Sequence, residues 1–257
     1  MKSIKRKLLD GEAVIGTFVS LGNAIATEIV GTAPWDWVIL DLEHGLGTEG
    51  DIMNQLQALA TTNINVIVRV EGYQRQRIHK VLDMGAHGIM CPHIDNEEEA
   101  LLVTKAMRYP PEGVRGVAKM VRATNFGADF DAYYANQQEN LLAVIQIETP
   151  EAVQNIEAIA ANPDIDVLFI GPADLSMSLG IFGQLNHPKF IEAETTIINA
   201  AKKAGKAVGF LIMNPEDYEK YYNKGVRFFA CGTDAFFLKK ENAAVANRLV
   251  ELRIAKK

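Results

Sequence analysis

The sequence predicts a (β/α)8 barrel, on two observations. Eight short apolar runs alternate with longer amphipathic segments over 257 residues, and polar residues gather at the C-terminal ends of many of those runs. A doubly wound open sheet is the alternative. It fits less well, because no G-x-G-x-x-G fingerprint follows the first run and the polar residues do not collect at one switch point. The whole chain, residues 1–257, is expected to be a single domain, since barrels of about 250 residues are routinely undivided.

The strand candidates are "AVIGTFV" (13–19), "WVILDL" (37–42), "NVIVRV" (65–70), "HGIMCP" (87–92), "LLAVIQIE" (141–148), "VLFIGP" (167–172), "AVGFLI" (207–212) and "RFFACGT" (227–233). Each has the length of a strand and is rich in Val, Ile or Phe. Between them lie segments with helical spacing, such as Ile52, Leu56 and Leu59, or Val153, Ile156 and Ile159. "LDMGAHGIMC", "YNKGVRFFAC" and "KKAGKAVGF" share one layout, a helix end followed by glycine and then a strand. Gly85, Gly205 and Gly225 therefore stand where a helix C-terminus wants a left-handed residue. Thr149-Pro150-Glu151 reads as an N-cap, a first-turn proline and an acid near the helix start.

Composition narrows the function. The chain is 48% hydrophobic and 23% charged, which is ordinary globular composition. Net charge is −6 and the one basic run is Lys5-Arg6-Lys7, so a nucleic-acid partner is not expected. No apolar stretch approaches the roughly 18 residues that span a bilayer, and the N-terminal charges precede no signal-peptide pattern. Cys91 and Cys231 form neither a disulfide framework nor a metal motif. They read as small buried thiols of a reducing compartment, and the expected location is cytoplasmic.

Chemistry in such a barrel belongs at the C-terminal ends of the strands. Val144, Gln146 and Glu148 share one face of the fifth strand, leaving Ile145 and Ile147 for the helices. Glu148 and Asp174 then end neighbouring strands. Two carboxylates in one enclosed mouth repel unless a proton or cation lies between them, and their oxygens suit Mg²⁺, Mn²⁺ or a similar divalent ion. The competing reading is that each caps a neighbouring helix. Arg69 at the end of the third strand calls for an anionic or carbonyl partner, which could be substrate or a salt bridge to Asp41 or Glu43. The backbone N–H groups of Ala173 and Asp174 form a natural carboxylate seat. His44 either satisfies a local hydrogen bond or acts as a general base. The histidines at 79, 87, 93 and 187 are read as structural, with His93 the one able to line the mouth. No lysine lies on a strand to form a Schiff base, so a barrel that stabilises an enolate would use a metal.

Taken together and in order, "DWVILDLEHG", "VIVRV", "LDMGAHGIMCPHIDNEEEA", "MRYPPEGVRGV", "VIQIETPEAV" and "VLFIGPADLSMSLG" resemble the class II, metal-dependent pyruvate aldolases of the HpcH/HpaI family. The resemblance runs from about residue 10 to about residue 240, and "RYPPxGxRG" and "IGPADLS" are its most telling parts. It implies a phosphoenolpyruvate/pyruvate-type barrel with Glu148 and Asp174 as ligands of Mg²⁺, Mn²⁺ or Co²⁺ and no organic cofactor. Arg69 and Gln146 would contact the 2-oxo acid. The amide of Ala173, with its neighbours Gly171, Pro172 and Asp174, would bind the substrate carboxylate. His44 resembles the catalytic base, and Asp83 the acid that orients it. Arg122 falls where the family carries an arginine near the active site, and Leu211 matches a pocket-lining residue. A homohexamer with the last helix exchanged between subunits is also implied.

The expected reaction is reversible cleavage of a 4-hydroxy-2-oxo acid to pyruvate and an aldehyde. The alternatives are a lyase acting on an acyl-CoA ester, as in the related citrate lyase beta chain, and a silent oxo-acid-binding barrel. A CoA site should need a basic cluster that this chain lacks. Binding alone would not require Arg69, Gln146, Glu148 and Asp174 together.

Overall fold

The computed structural model describes residues 2–255; Met1, Lys256 and Lys257, at the ends of the expected domain, lie outside the described residues. Eight strands close a barrel in chain order: β1 (Val14–Val19), β2 (Trp37–Asp41), β3 (Asn65–Arg69), β4 (Gly88–Cys91), β5 (Leu142–Ile147), β6 (Val167–Ile170), β7 (Ala207–Ile212) and β8 (Val226–Thr233). Every neighbouring pair is parallel, and β8 pairs with β1 to complete the circle. The apolar runs coincide with these strands because a parallel strand covered on both faces must be apolar along its whole length.

Alternation divides each strand between two cores. Trp37, Ile39, Ile67, Met90, Val144, Phe169 and Phe228 fill the barrel interior. Val38, Leu40, Val68, Ile145 and Ile147 face outward against the helices. The Trp37 and Phe228 rings stack with centroids 4.1 Å apart, and Phe169 meets Phe228 edge-on at 6.3 Å. Gly16 makes room for this stack, since a Cβ there would fall 2.2 Å from the Trp37 ring. The interior is thus packed with side chains.

The helices described are α1 (Ile4–Leu9), α2 (Ala24–Val30), α3 (Glu49–Ala58), α4 (Arg75–Asp83), α5 (Glu97–Met107), α6 (Phe130–Asn140), α7 (Pro150–Gln154), α8 (Ile156–Ala161), α9 (Pro172–Ser178), α10 (Pro188–Lys203), α11 (Tyr218–Lys224) and α12 (Asp234–Ile254). Gly85, Gly205 and Gly225 take the expected positive φ, at +101°, +68° and +110°. Thr149 caps α7 by accepting the Ala152 N–H, with Pro150 in the first turn. The spacing of Val153, Ile156 and Ile159 spans two short helices rather than one. The break falls at Asn155, whose side-chain amide donates to the Asp95 carbonyl at 2.8 Å and ties the chain to the loop after β4. Among the described residues, no helix is long and apolar enough to cross a membrane.

Candidate active site

The site begins where β2 stops. Asp41 Oδ1 accepts the backbone N–H groups of Glu43 (3.1 Å) and His44 (3.3 Å), which turns the chain at once. Gly45 completes the turn, because a Cβ there would lie 2.1 Å from the Asp41 carbonyl oxygen. The turn separates two adjacent side chains: that of Glu43 is 8% exposed, that of His44 65%.

Strand register sets Arg69 directly beside Asp41. The guanidinium grips that carboxylate with two bonds, Nε–Oδ1 at 2.9 Å and Nη2–Oδ2 at 2.7 Å. Its third nitrogen lies 3.1 Å from Glu43 Oε2, and its carbon stands 4.9 Å from the centre of the Phe18 ring. The salt bridge that the sequence left open therefore exists, with both acids at once. Burial opposes the charge, but the Asp41 hydrogen bonds and the charges of Asp41, Glu43 and Glu148 outweigh it and hold the guanidinium above its ordinary pKa. Arg69 is a fixed, buried cation at the barrel mouth.

Across the mouth, Gln146 and Glu148 point inward as their parity predicts. Glu148 is 3% exposed. One of its oxygens accepts the His93 backbone N–H at 2.9 Å, and the other accepts the Gln146 amide. Burial pushes the Glu148 carboxyl above the usual carboxylate range against the pull of these bonds and of His93, and the nearby Asp174 charge adds to the rise. The helix-cap alternative fails for Glu148, since Thr149 is the cap of α7. Asp174 sits in the first turn of α9 with its side chain exposed. Gly171 lies against Glu148, where a Cβ would approach Oε2 to 3.1 Å. Pro172 and Ala173 follow on the same turn, and Leu211 on β7 packs against the interior cluster.

His93, read from the sequence as structural though able to line the mouth, belongs to the site. Its ring spans the mouth, with Nδ1 3.2 Å from Glu148 Oε1 and Nε2 3.0 Å from Glu43 Oε1. Ligand atoms of Glu43, His93 and Glu148 all lie within 4.8 Å of one another. Two carboxylates and an imidazole converging in this way fit a divalent cation. Gln146, whose amide nitrogen bonds Glu148, leaves its buried Oε1 without a hydrogen-bond partner. Asp174, expected as the second ligand, is near enough to act on Glu148 electrostatically but stands outside this cluster. The available signal for His93 was its place two residues after a barrel strand.

Two expected site residues lie elsewhere in this chain. A barrel helix runs back along its strand, so the C-terminal end of α4 reaches the opposite rim. Asp83 ends that helix and bonds Arg115 at 2.7 Å. Within this chain it does not orient His44; the acid beside His44 is Glu43, at 3.8 Å. Arg122 donates to the carbonyls of Met84 (2.9 Å) and Leu56 (3.3 Å), at the same far rim. It does not meet the mouth of its own barrel.

A closed parallel barrel whose mouth fixes an arginine among buried carboxylates defines an enzyme of the (β/α)8 class. The family profile described as HpcH/HpaI aldolase/citrate lyase matches residues 14–240, and the chain belongs to that family. It is 38% identical over 244 residues to a pyruvate aldolase of Rhizobium etli, covering 95% of this chain and 96% of that one. It is 37% identical to a 5-keto-4-deoxy-D-glucarate aldolase of Escherichia coli K12, covering 90% of each. A crystal structure of a family member from Burkholderia cenocepacia superposes with TM-score 0.91 at 34% identity, covering 98% of this chain and 100% of that one.

Proposed function

We propose that the enzyme cleaves a 4-hydroxy-2-oxo acid reversibly to pyruvate and an aldehyde. The observation that carries this reading is Arg69, held by Asp41 and Glu43 and facing the buried Glu148. A divalent ion such as Mg²⁺, Mn²⁺ or Co²⁺, held by Glu148 with Asp174 and Glu43 nearby, would supply Lewis-acid polarisation of the 2-oxo group. No organic cofactor enters the scheme.

The chain's own residues then divide the work. Gln146 and Arg69 orient the 2-oxo acid, and the free N–H groups of Ala173 and Asp174 receive its carboxylate. His44, exposed toward solvent and beside Glu43, takes the proton of the 4-hydroxyl. The O–H electrons form the aldehyde carbonyl, the C3–C4 bond breaks, its electron pair becomes the C2=C3 double bond, and the carbonyl π pair moves onto the former 2-oxo oxygen. The positive charge of Arg69, already fixed in place, stabilises that developing enolate without reorganisation. A proton returned to C3 completes pyruvate. Leu211 lines the pocket, and the aldehyde partner decides what else touches it.

A cytoplasmic homohexamer accompanies this reading. The exposed Leu238, Val245, Leu249 and Ile254 of α12 support a helix that packs on a partner. Asp83 and Arg122 keep catalytic roles only where the far rim of one barrel meets the mouth of another.

The test is pyruvate release from a panel of 4-hydroxy-2-oxo acids, read by coupled lactate dehydrogenase, with chelated protein and metal added back. Metal-restored pyruvate release is expected. No pyruvate from any member would end the aldolase reading, and full activity after chelation would end the metal's role. In the same assay, His44→Ala should slow aldol cleavage more than it slows proton exchange at C3 of pyruvate. Equal losses in both would remove His44 from the hydroxyl step.

A further inference from the structure

We propose that Asp234 is a positioning residue for His44, acting through the loop that follows β1. The proposal rests on the reading of His44 as the group that takes the 4-hydroxyl proton, and extends it to a buried acid that reading does not use. Asp234 opens α12 and is 6% exposed. Strand register brings it there. β8 pairs with β1 through a shift between Gly16 and Phe18, which sets Phe18 against Thr233 and leaves Asp234 beside the end of β1. The Thr17 hydroxyl lies 2.9 Å from the Cys231 carbonyl and 3.2 Å from that of Gly232, and satisfies this irregular stretch.

The Asp234 carboxylate serves mainly the β1 loop. Its Oδ1 accepts the Ser20 N–H at 2.8 Å, the Ser20 hydroxyl at 2.9 Å and the Ala235 N–H at 2.8 Å, and its Oδ2 accepts the Leu21 N–H at 3.2 Å. Capping α12 would not require this, because Thr233 already caps it by accepting the Phe236 N–H at 3.0 Å.

The β1 loop in turn holds the β2 loop. The Ser20 carbonyl accepts the Leu46 N–H at 2.7 Å. Gly22 and Gly47 then meet backbone to backbone: a Cβ on Gly22 would lie 2.4 Å from the Gly47 Cα, and one on Gly47 2.8 Å from the Gly22 Cα. His44 thus stands between two anchors. On one side Asp41 holds the N–H groups of Glu43 and His44; on the other, Ser20 holds Leu46. Arg69 fixes the first anchor and Asp234 the second. The exposed His44 ring has little packing of its own, so the backbone that carries it sets its place. Proton transfer depends on that placement.

The experiment compares aldol cleavage with proton exchange at C3 of pyruvate in Asp234→Ala. Cleavage kcat should fall at least about tenfold, while exchange stays near the parent rate. In a His44→Ala background the same substitution should cost little further, because the group it positions is gone. Asp234→Asn keeps an acceptor for Ser20 but turns an NH₂ group toward the Leu21 N–H, so its cleavage rate should lie between those of Asp234→Ala and the parent. Gly47→Ala disturbs the brace from the other loop and should give the same split, which keeps the test open if Asp234→Ala does not fold. Cleavage and exchange lowered alike in these variants, cleavage unchanged in a folded Asp234→Ala protein, or a full further loss in the His44→Ala background overturns the proposal and leaves the aldolase reading intact. No pyruvate from the parent protein, or equal losses in His44→Ala itself, overturns the reading beneath it as well.

Discussion

Arg69→Ala is expected to lower kcat/KM at least about 30-fold, equivalent to about 2 kcal/mol of transition-state stabilisation. The loss should fall mainly on kcat, because the charge that Arg69 meets develops only as the C3–C4 bond breaks. The same substitution strips two buried carboxylates of their partner. Asp41 is 5% exposed, and the Glu43 side chain 8%. An uncompensated buried charge typically costs about 3–5 kcal/mol, so the melting temperature should also fall. Arg69→Lys separates the two effects. A lysine restores the charge but not the planar fork that grips Asp41 at two atoms, so stability should recover further than turnover. A folded Arg69→Ala variant with unchanged kcat/KM would refute the assigned role.

Glu148→Gln should abolish metal-dependent turnover and leave the fold intact. The amide preserves shape while removing the charge. Its oxygen can still accept the His93 N–H, and Gln146 can turn its unpartnered oxygen toward the new NH₂ group. Keeping Glu148 ionised while buried opposes folding, which is the meaning of its raised pKa. The variant should therefore melt no lower than the parent protein. Calorimetric titration should show the divalent ion bound much more weakly. Undiminished activity would remove Glu148 from the ligand set. A collapse in melting temperature would instead make it a structural residue.

Much of the barrel was legible before the structure. Parallel strands buried on both faces leave continuous apolar runs, and helix ends leave glycines, so both kinds of signal are local. Inward parity correctly aimed Arg69, Gln146 and Glu148, because a strand alternates faces whatever surrounds it. The sequence also named Asp41 and Glu43 as possible salt-bridge partners of Arg69, with substrate as the alternative. The structure gives both to Arg69 and adds Glu43 to the cation cluster.

Parity stops where strands stop. His93 follows β4 in a left-handed backbone conformation, and no alternation rule says where such a residue points. Asp83 and Arg122 show the converse limit. Their motifs stand close to site residues in sequence order, yet a barrel helix reverses direction, and its C-terminal end sits at the rim away from the mouth. Sequence proximity carries no information about rim.

The sequence by itself determined the alternation of elements, the inward faces and the residue types a metal-assisted aldolase needs. Those follow from solvent exclusion and backbone periodicity, which act over a few residues at a time. Tertiary structure alone decided which acids share Arg69, that His93 bridges Glu43 and Glu148, and that Asp83 and Arg122 lie at the far rim. Closing the barrel sets distances among strand ends 26 to 55 residues apart in sequence, and those distances choose which charges meet.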